Sequence, residues 1–179
     1  LLINALLRKG DKDGASAEGQ ALLQRAKNDP AAQNLVAAAL SATGQRDAGR
    51  EQYLAALKAR PDDVATLLNL ARLDLAEGRT VEADGRFRRI LEIDPKNLAA
   101  TLGAANAAGA GGDKLGTERW LSKAVADHPD SIDANASLAQ FHLRNGDTAR
   151  AKAVLDSAVK KSPRSAPLAN LRGLVLLAS

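Results

Sequence analysis

Along the chain, apolar residues recur three and four positions apart in blocks of about a dozen residues, the spacing of one face of an α-helix. The blocks end alternately at a glycine and near a proline. Set against itself at an offset of 34, the chain shows a glycine column without insertions: Gly10, Gly44, Gly78, Gly112 and Gly146. Seventeen residues after each glycine stand Lys27, Pro61, Pro95, Pro129 and Pro163, and two further on Asp29, Asp63, Asn97, Ser131 and Ser165. That last column holds only residues whose side-chain oxygens accept from the unpaired N–H groups of a helix start. The glycines fit helix ends, where a left-handed backbone is cheapest without Cβ. Each unit therefore reads as an N-cap, helix A of about four turns, a glycine turn, helix B and a proline turn.

The helix faces repeat with the same period. Seven residues before the glycine the column is Ile3, Ala37, Ala71, Ala105, Ala139 and Gly173; five after it stand Ala15, Gly49, Ala83, Thr117 and Ala151. Small residues on both helices let the pair approach closely and cross at a shallow angle. Larger side chains are expected to fill between them: Leu2, Val36, Leu70 and Leu138 on A, with Tyr53, Phe87, Leu121 and Leu155 on B. Leu23, Leu57, Leu91, Val125 and Val159 continue the B stripe toward the neighbouring unit.

This pattern resembles the tetratricopeptide repeat (TPR), a helix–turn–helix unit of 34 residues. The resemblance covers the whole chain and implies an all-α, right-handed α-solenoid. Residues 1–29 read as a partial repeat, 30–63, 64–97, 98–131 and 132–163 as repeats, and 164–179 as a truncated final helix. The family's usual first-helix Trp is replaced by Gln33, Leu67, Thr101 and Asn135, and its common Tyr by Leu40, Asp74, Ala108 and His142. These departures are expected to weaken single units. Within the family, "LLINALLRKGD" at the start, "NLARLDLAEG" (69–78) and "FHLRNGDTARAKAVL" (141–155) resemble the TPR lipoprotein of exosortase/PEP-CTERM exopolysaccharide systems. That resemblance implies a periplasmic scaffold anchored to the outer membrane.

Composition narrows the chemistry. Aromatic residues are 2% of the chain, which suits thin layers of closely packed helices better than one large core. The absence of cysteine excludes disulfides and thiolate metal sites. A net charge of +4 arises from 25 basic and 21 acidic residues scattered along the sequence, a solvated surface and no footprint for nucleic acid. No apolar run reaches the roughly 18 residues of a membrane span. The chain starts without Met and reads as a piece of a longer protein.

The glycine-rich stretch "GAANAAGAGGDKLGTERW" (103–120) matches neither phosphate-binding pattern. Gly112 is explained as a helix terminator and Asp113 as the N-cap of the next helix. Gly103 and Gly109 lie inside a helix with little bulk, which fits either a soft joint or tight small-residue packing. In "GRFRRI" (85–90), Phe87 and Ile90 are expected inward, with Arg86, Arg88 and Arg89 in solvent. His128 and His142 lack metal-ligand spacing and read as surface or half-buried packing residues. No nucleophile–base set can be assembled, so neither a catalytic site nor a cofactor is expected.

The informative surface is the inner face of the A helices, which the TPR resemblance makes the lining of a partner-binding groove. It carries Asn69 and Arg72, then Asn106, then Ser137, Gln140 and Arg144. Arg72, Asn106 and Gln140 share one column and are expected to form a polar ladder suited to a protein or peptide ligand. The two-Lys, two-Asn clamp of chaperone-binding TPRs is not reproduced in full. The expected function is a non-enzymatic interaction scaffold in envelope exopolysaccharide biosynthesis or export. The alternative is a TPR adaptor arm of a cytoplasmic multidomain protein or enzyme. "APLANLRGLVLLA" (166–178) is expected to leave an apolar stripe exposed and to permit end-to-end self-association.

Overall fold

The computed structural model describes residues 2–26, 29–163 and 165–177, and every regular element among them is an α-helix. Lys27 of the proline column and Ala178 of the final apolar stretch lie outside the described residues. The chain forms two compact units, Leu1–Ile93 and Asp94–Ser179. The first holds α1 (Leu2–Lys9), α2 (Lys12–Arg25), α3 (Pro30–Ala42), α4 (Arg46–Ala59), α5 (Val64–Ala76) and α6 (Thr80–Ile93). The second holds α7 (Leu98–Ala110), α8 (Lys114–Asp127), α9 (Ile132–Arg144), α10 (Thr148–Lys161) and α11 (Ala166–Leu177).

The helices start and stop where their end chemistry places them. Asp29, Asp63, Asn97 and Ser131 accept the backbone N–H groups of Ala31, Thr66, Ala100 and Ala134 at 3.0, 2.8, 3.0 and 3.2 Å. Each removes one unpaired donor from a helix start. Ser165 departs from its column: its buried Oγ has no hydrogen-bond partner among the described residues. At the other end, all five column glycines have positive φ, from 74° to 94°. The residue after each donates back to a carbonyl five positions earlier, as Asp113 N–H does to Ala108 at 2.9 Å. This reversal closes the helix, and a Cβ would strain it.

Within each unit, consecutive helices pack as hairpins through the small columns. Ala37, Ala71, Ala105 and Ala139 on A are buried, as are Ala15, Gly49, Ala83, Thr117 and Ala151 on B. The approach is close between α3 and α4, where a Cβ on Gly49 would stand 2.9 Å from the Ala37 carbonyl oxygen. Between the small columns, Val36, Leu70, Phe87 and Leu155 are fully buried, and each such side chain stabilises by about 1.5–3 kcal/mol. Leu2 does not join them. At 55% exposed it lies outside the core, because α1 turns Ile3 rather than Leu2 toward the helices it packs on, α2 and α3.

The final helix also differs from its expected exposure. Leu168 and Val175 are buried in one cluster with Ala139, Ala151, Leu155 and Ala158, so α11 seats much of its stripe on α9 and α10. Leu174 remains 63% exposed.

Candidate functional site

The residues expected to line a groove fall into both units. Asn69 and Arg72 lie on α5 in the first. Asn69 is half-buried, and its Nδ2 donates to Asn34 Oδ1 on α3 at 3.3 Å. Arg72 is exposed and makes no hydrogen bond or ion pair among the described residues. The register of the A helices thus places an amide on one layer against an amide on the next.

In the second unit the expected residues converge. Asn106, Ser137, Gln140 and Arg144 line one cleft of about 500 Å³ between the α7–α8 hairpin and α9. Helical spacing puts them there: Ser137, Gln140 and Arg144 are three and four apart on one face of α9. Ala105 and Gly109, small residues of α7, leave the space open on the opposite wall. Leu121 and Phe141 supply an apolar surface. Sequence reasoning missed Lys114, which reaches the cleft from the first turn of α8, and Asn145 at the end of α9. Lys114 stands directly after the capping Asp113, so the glycine turn that ends α7 also delivers a cation to the cleft mouth.

The electrostatics of this cleft are one-sided. Among the described residues that line it there are two cations, Lys114 and Arg144, and no carboxylate. Lys114 has no ion pair among the described residues, and Arg144 makes only a 3.4 Å contact with the Gln140 carbonyl of its own helix. Nearby acids are engaged elsewhere: Asp113 accepts from Gly116 N–H at 2.8 Å, while Glu118 and Asp147 both hold Arg150.

A second feature, in the first unit, is a buried charge network. Asp74 on α5 is fully buried and takes the place of the family's usual Tyr. Its carboxylate accepts from Arg50 Nη1 at 2.5 Å and from Arg86 Nη1. Arg50 Nη2 also reaches Glu77 Oε2 at 2.6 Å, and Arg79 lies 3.2 Å from the same oxygen. The expectation that Arg86 faces solvent is therefore corrected, since the buried carboxylate of Asp74, already held by Arg50, also draws the Arg86 guanidinium inward. Burial alone would lower the Arg50 pKa, but its bonds and Coulombic attraction to Asp74 and Glu77 hold it above its ordinary value. Glu77 is held below its ordinary value, chiefly by Arg50. Arg88 and Arg89 do lie outside, paired with Asp84 and with Asp62 and Glu92.

Both histidines make contacts within the fold. His142 is 5% exposed, more buried than expected, and meets Phe141 edge-on at 5.6 Å between ring centroids. His128 lies in the proline turn with Nε2 2.6 Å from the Lys96 carbonyl oxygen. Among the described residues no group of three or more His, Cys, Asp or Glu could hold a metal ion. No helix among them is long and apolar enough to cross a membrane.

Two family models, both described as tetratricopeptide repeat, match residues 37–97 and 118–175, together about two thirds of the chain. The chain belongs to the tetratricopeptide repeat family. The cellulose synthase 1 operon protein C of Komagataeibacter xylinus is 28% identical to this TPR chain over 118 residues. That match takes in 63% of the chain but only 9% of the larger protein, so the chain spans less than a tenth of that relative's length. Among solved structures, a TPR protein from Parabacteroides merdae superposes with a TM-score of 0.76 at 22% identity, covering 99% of this chain and 69% of that one. A thermophilic TPR protein of Thermus thermophilus gives 0.72 at 19% identity, covering 98% and 96%. At these identities the likeness shows the all-α TPR fold and nothing of the ligand. The TPR signature also accounts for the main surprise of the charge network: the position of Asp74 is an interior one in the repeat, so an acid there has to bring its own counter-ions.

Proposed function

We propose that this TPR chain is a non-enzymatic protein-interaction scaffold whose partner lies in the cleft formed by α7, α8 and α9. The observation that carries the reading is the convergence of Asn106, Ser137, Gln140 and Arg144 on one cleft. Amide and guanidinium donors beside small residues suit the backbone of an extended segment, which needs hydrogen-bond partners along its length. Asn69 and Arg72, on α5 of the first unit, are proposed as a partner-contact surface of that unit by itself.

We further propose that the scaffold works in the bacterial envelope, in exopolysaccharide biosynthesis or export, as a periplasmic protein anchored to the outer membrane. Support comes from the resemblance to the PEP-CTERM-type lipoprotein and from the likeness to a protein named for a cellulose synthase operon.

The test is cross-linking capture in native cells by the intact protein, repeated with Asn106→Ala and Gln140→Ala combined. Loss of a specific envelope partner with unchanged protein abundance is expected. A partner retained at full yield by the double variant would remove the cleft as the binding surface.

A further inference from the structure

Asn145 and Gly146, at the end of α9, form the single Asn–Gly pair of the sequence. Every other asparagine precedes a residue with a side chain. Such a side chain hinders the backbone nitrogen that follows the asparagine, whereas glycine leaves it free to attack the asparagine amide. Both residues are exposed, so water and hydroxide reach them. The pair has the chemistry to deamidate, and the fold controls when it can.

The native turn holds each reacting group away from the reaction. Gly146 N–H, which carries the nucleophilic nitrogen, donates to the Leu143 carbonyl at 3.0 Å. Asn145 Nδ2, the leaving group, donates to the Phe141 carbonyl at 2.8 Å. The Asn145 ψ of 8° eclipses the Gly146 nitrogen with the Asn145 backbone nitrogen, whereas a five-membered ring needs it eclipsed with Cβ. Asp147 N–H closes the same turn on the His142 carbonyl at 2.9 Å. Rotating ψ to the reactive value pulls Gly146 N–H and Asp147 N–H off their acceptors, so the last turn of α9 has to open first. The Asp–Gly pairs of the chain differ in kind. Asp13–Gly14 and Asp84–Gly85 lie within α2 and α6, and an ionised carboxylate is a poor electrophile.

We infer that Asn145–Gly146 is a deamidation site gated by the end of α9, closed in the folded turn and reactive when that turn opens. The Gly146 nitrogen gives up its proton and bonds to Asn145 Cγ. The Cγ–Nδ2 bond breaks, and ammonia leaves after taking up a proton from water. Water then opens the succinimide: attack at the Asn145 main-chain carbonyl yields isoaspartate, and attack at Cγ yields aspartate. Isoaspartate adds a methylene to the main chain, so Gly146 and Asp147 lose their register with Leu143 and His142. A turn that has reacted in this way does not close again, and the chain keeps a permanent mark of having opened. Asn145 also lines the cleft that holds Lys114 and Arg144, so either product turns an amide of that lining into a carboxylate.

The test incubates the intact 179-residue chain at mildly alkaline pH, folded and in guanidinium chloride. Peptides are then mapped by mass spectrometry with fragmentation that separates isoaspartate from aspartate. In denaturant, Asn145 is expected to convert ahead of every other asparagine. In the folded chain it should convert about tenfold or more slowly, because opening of the helix end precedes each reaction. Equal rates in the two states would overturn the gate. An unfolded chain in which Asn145 is no faster than the other asparagines would overturn the site. Asn145→Gln, whose amide is a methylene further out, should release little ammonia; release at the parent rate would place the reaction elsewhere. The purified isoaspartate form is compared with Asn145→Asp, which has the charge without the added methylene. Faster amide exchange over 141–147 in the isoaspartate form is expected, and equal protection would show that the turn closes again.

Discussion

Gly49 and Gly109 both sit at helix–helix contacts, yet they would receive a methyl group differently. A Cβ on Gly49 would press on the Ala37 carbonyl oxygen at 2.9 Å and on the Ser41 hydroxyl, so α3 and α4 would have to separate. Gly49→Ala is expected to destabilise by about 1–3 kcal/mol, read from the urea midpoint. A Cβ on Gly109 would meet Thr117 Oγ1 at 3.4 Å, an ordinary contact. Gly109→Ala should then gain roughly 0.5–1 kcal/mol of helix propensity. A loss instead would show that tight packing is the reason for this glycine. Tyr53 is the sole tyrosine and 3% exposed. Burial pushes its pKa up to about 12, against the opposing pull of the Ser41 hydroxyl and the Arg72 charge. Its folded pKa lies above the unfolded value of 10.0, so the folded state holds the proton longer. The stabilisation is therefore complete below pH 10 and is lost as pH rises toward 12, about 2–3 kcal/mol in all. Tyrosinate absorbance should titrate near 12 in the folded chain, and Tyr53→Phe should remove that share of alkaline sensitivity.

At the scale of elements, α5 depends on a charge that its neighbours neutralise. Asp74→Ala leaves Arg50 and Arg86 without their shared buried partner and is expected to cost about 3–5 kcal/mol in a denaturant titration. A cost under about 1 kcal/mol would mean that water already compensates the arginines. Glu77, on the same network, has a folded pKa below its unfolded value of 4.5, so its stabilising share is present above 4.5 and lost as pH falls. Glu77→Gln should flatten the acid limb of the stability curve while leaving the alkaline limb unchanged. In the second unit, α7 is a continuous helix through Gly103 and Gly109. Both the soft-joint and the packing accounts of this helix make a statement about hydrogen exchange. If α7 is soft, amides of 98–110 exchange faster than those of 64–77; equal protection removes the joint.

For the molecule as a whole, the association expected through α11 has a smaller base than its sequence suggests. Leu168 and Val175 belong to the second unit's own core, and Leu174 is the exposed large apolar side chain among those described in this helix. Sedimentation at high concentration should show weak self-association that Leu174→Lys abolishes. A parent chain that stays monomeric would end the idea.

Local chemistry with a strict period was legible from the chain alone. The glycine column, the capping column and the two small columns each depend on a residue's own backbone preference or size, and these properties do not wait for a partner. Of the six residues expected to line a groove, Asn106, Ser137, Gln140 and Arg144 were legible as neighbours for the same reason, since they repeat with the helix and the unit. Tertiary packing decided the rest. Whether Arg86 meets solvent or Asp74 depends on which charge lies across the hairpin, and Lys114 reaches the cleft because a turn, not a helix face, aims it. Ser165 and Leu168 likewise answer to the helices beside them. Periodicity specifies a residue's direction on its own helix; only the neighbouring helices determine what it finds there.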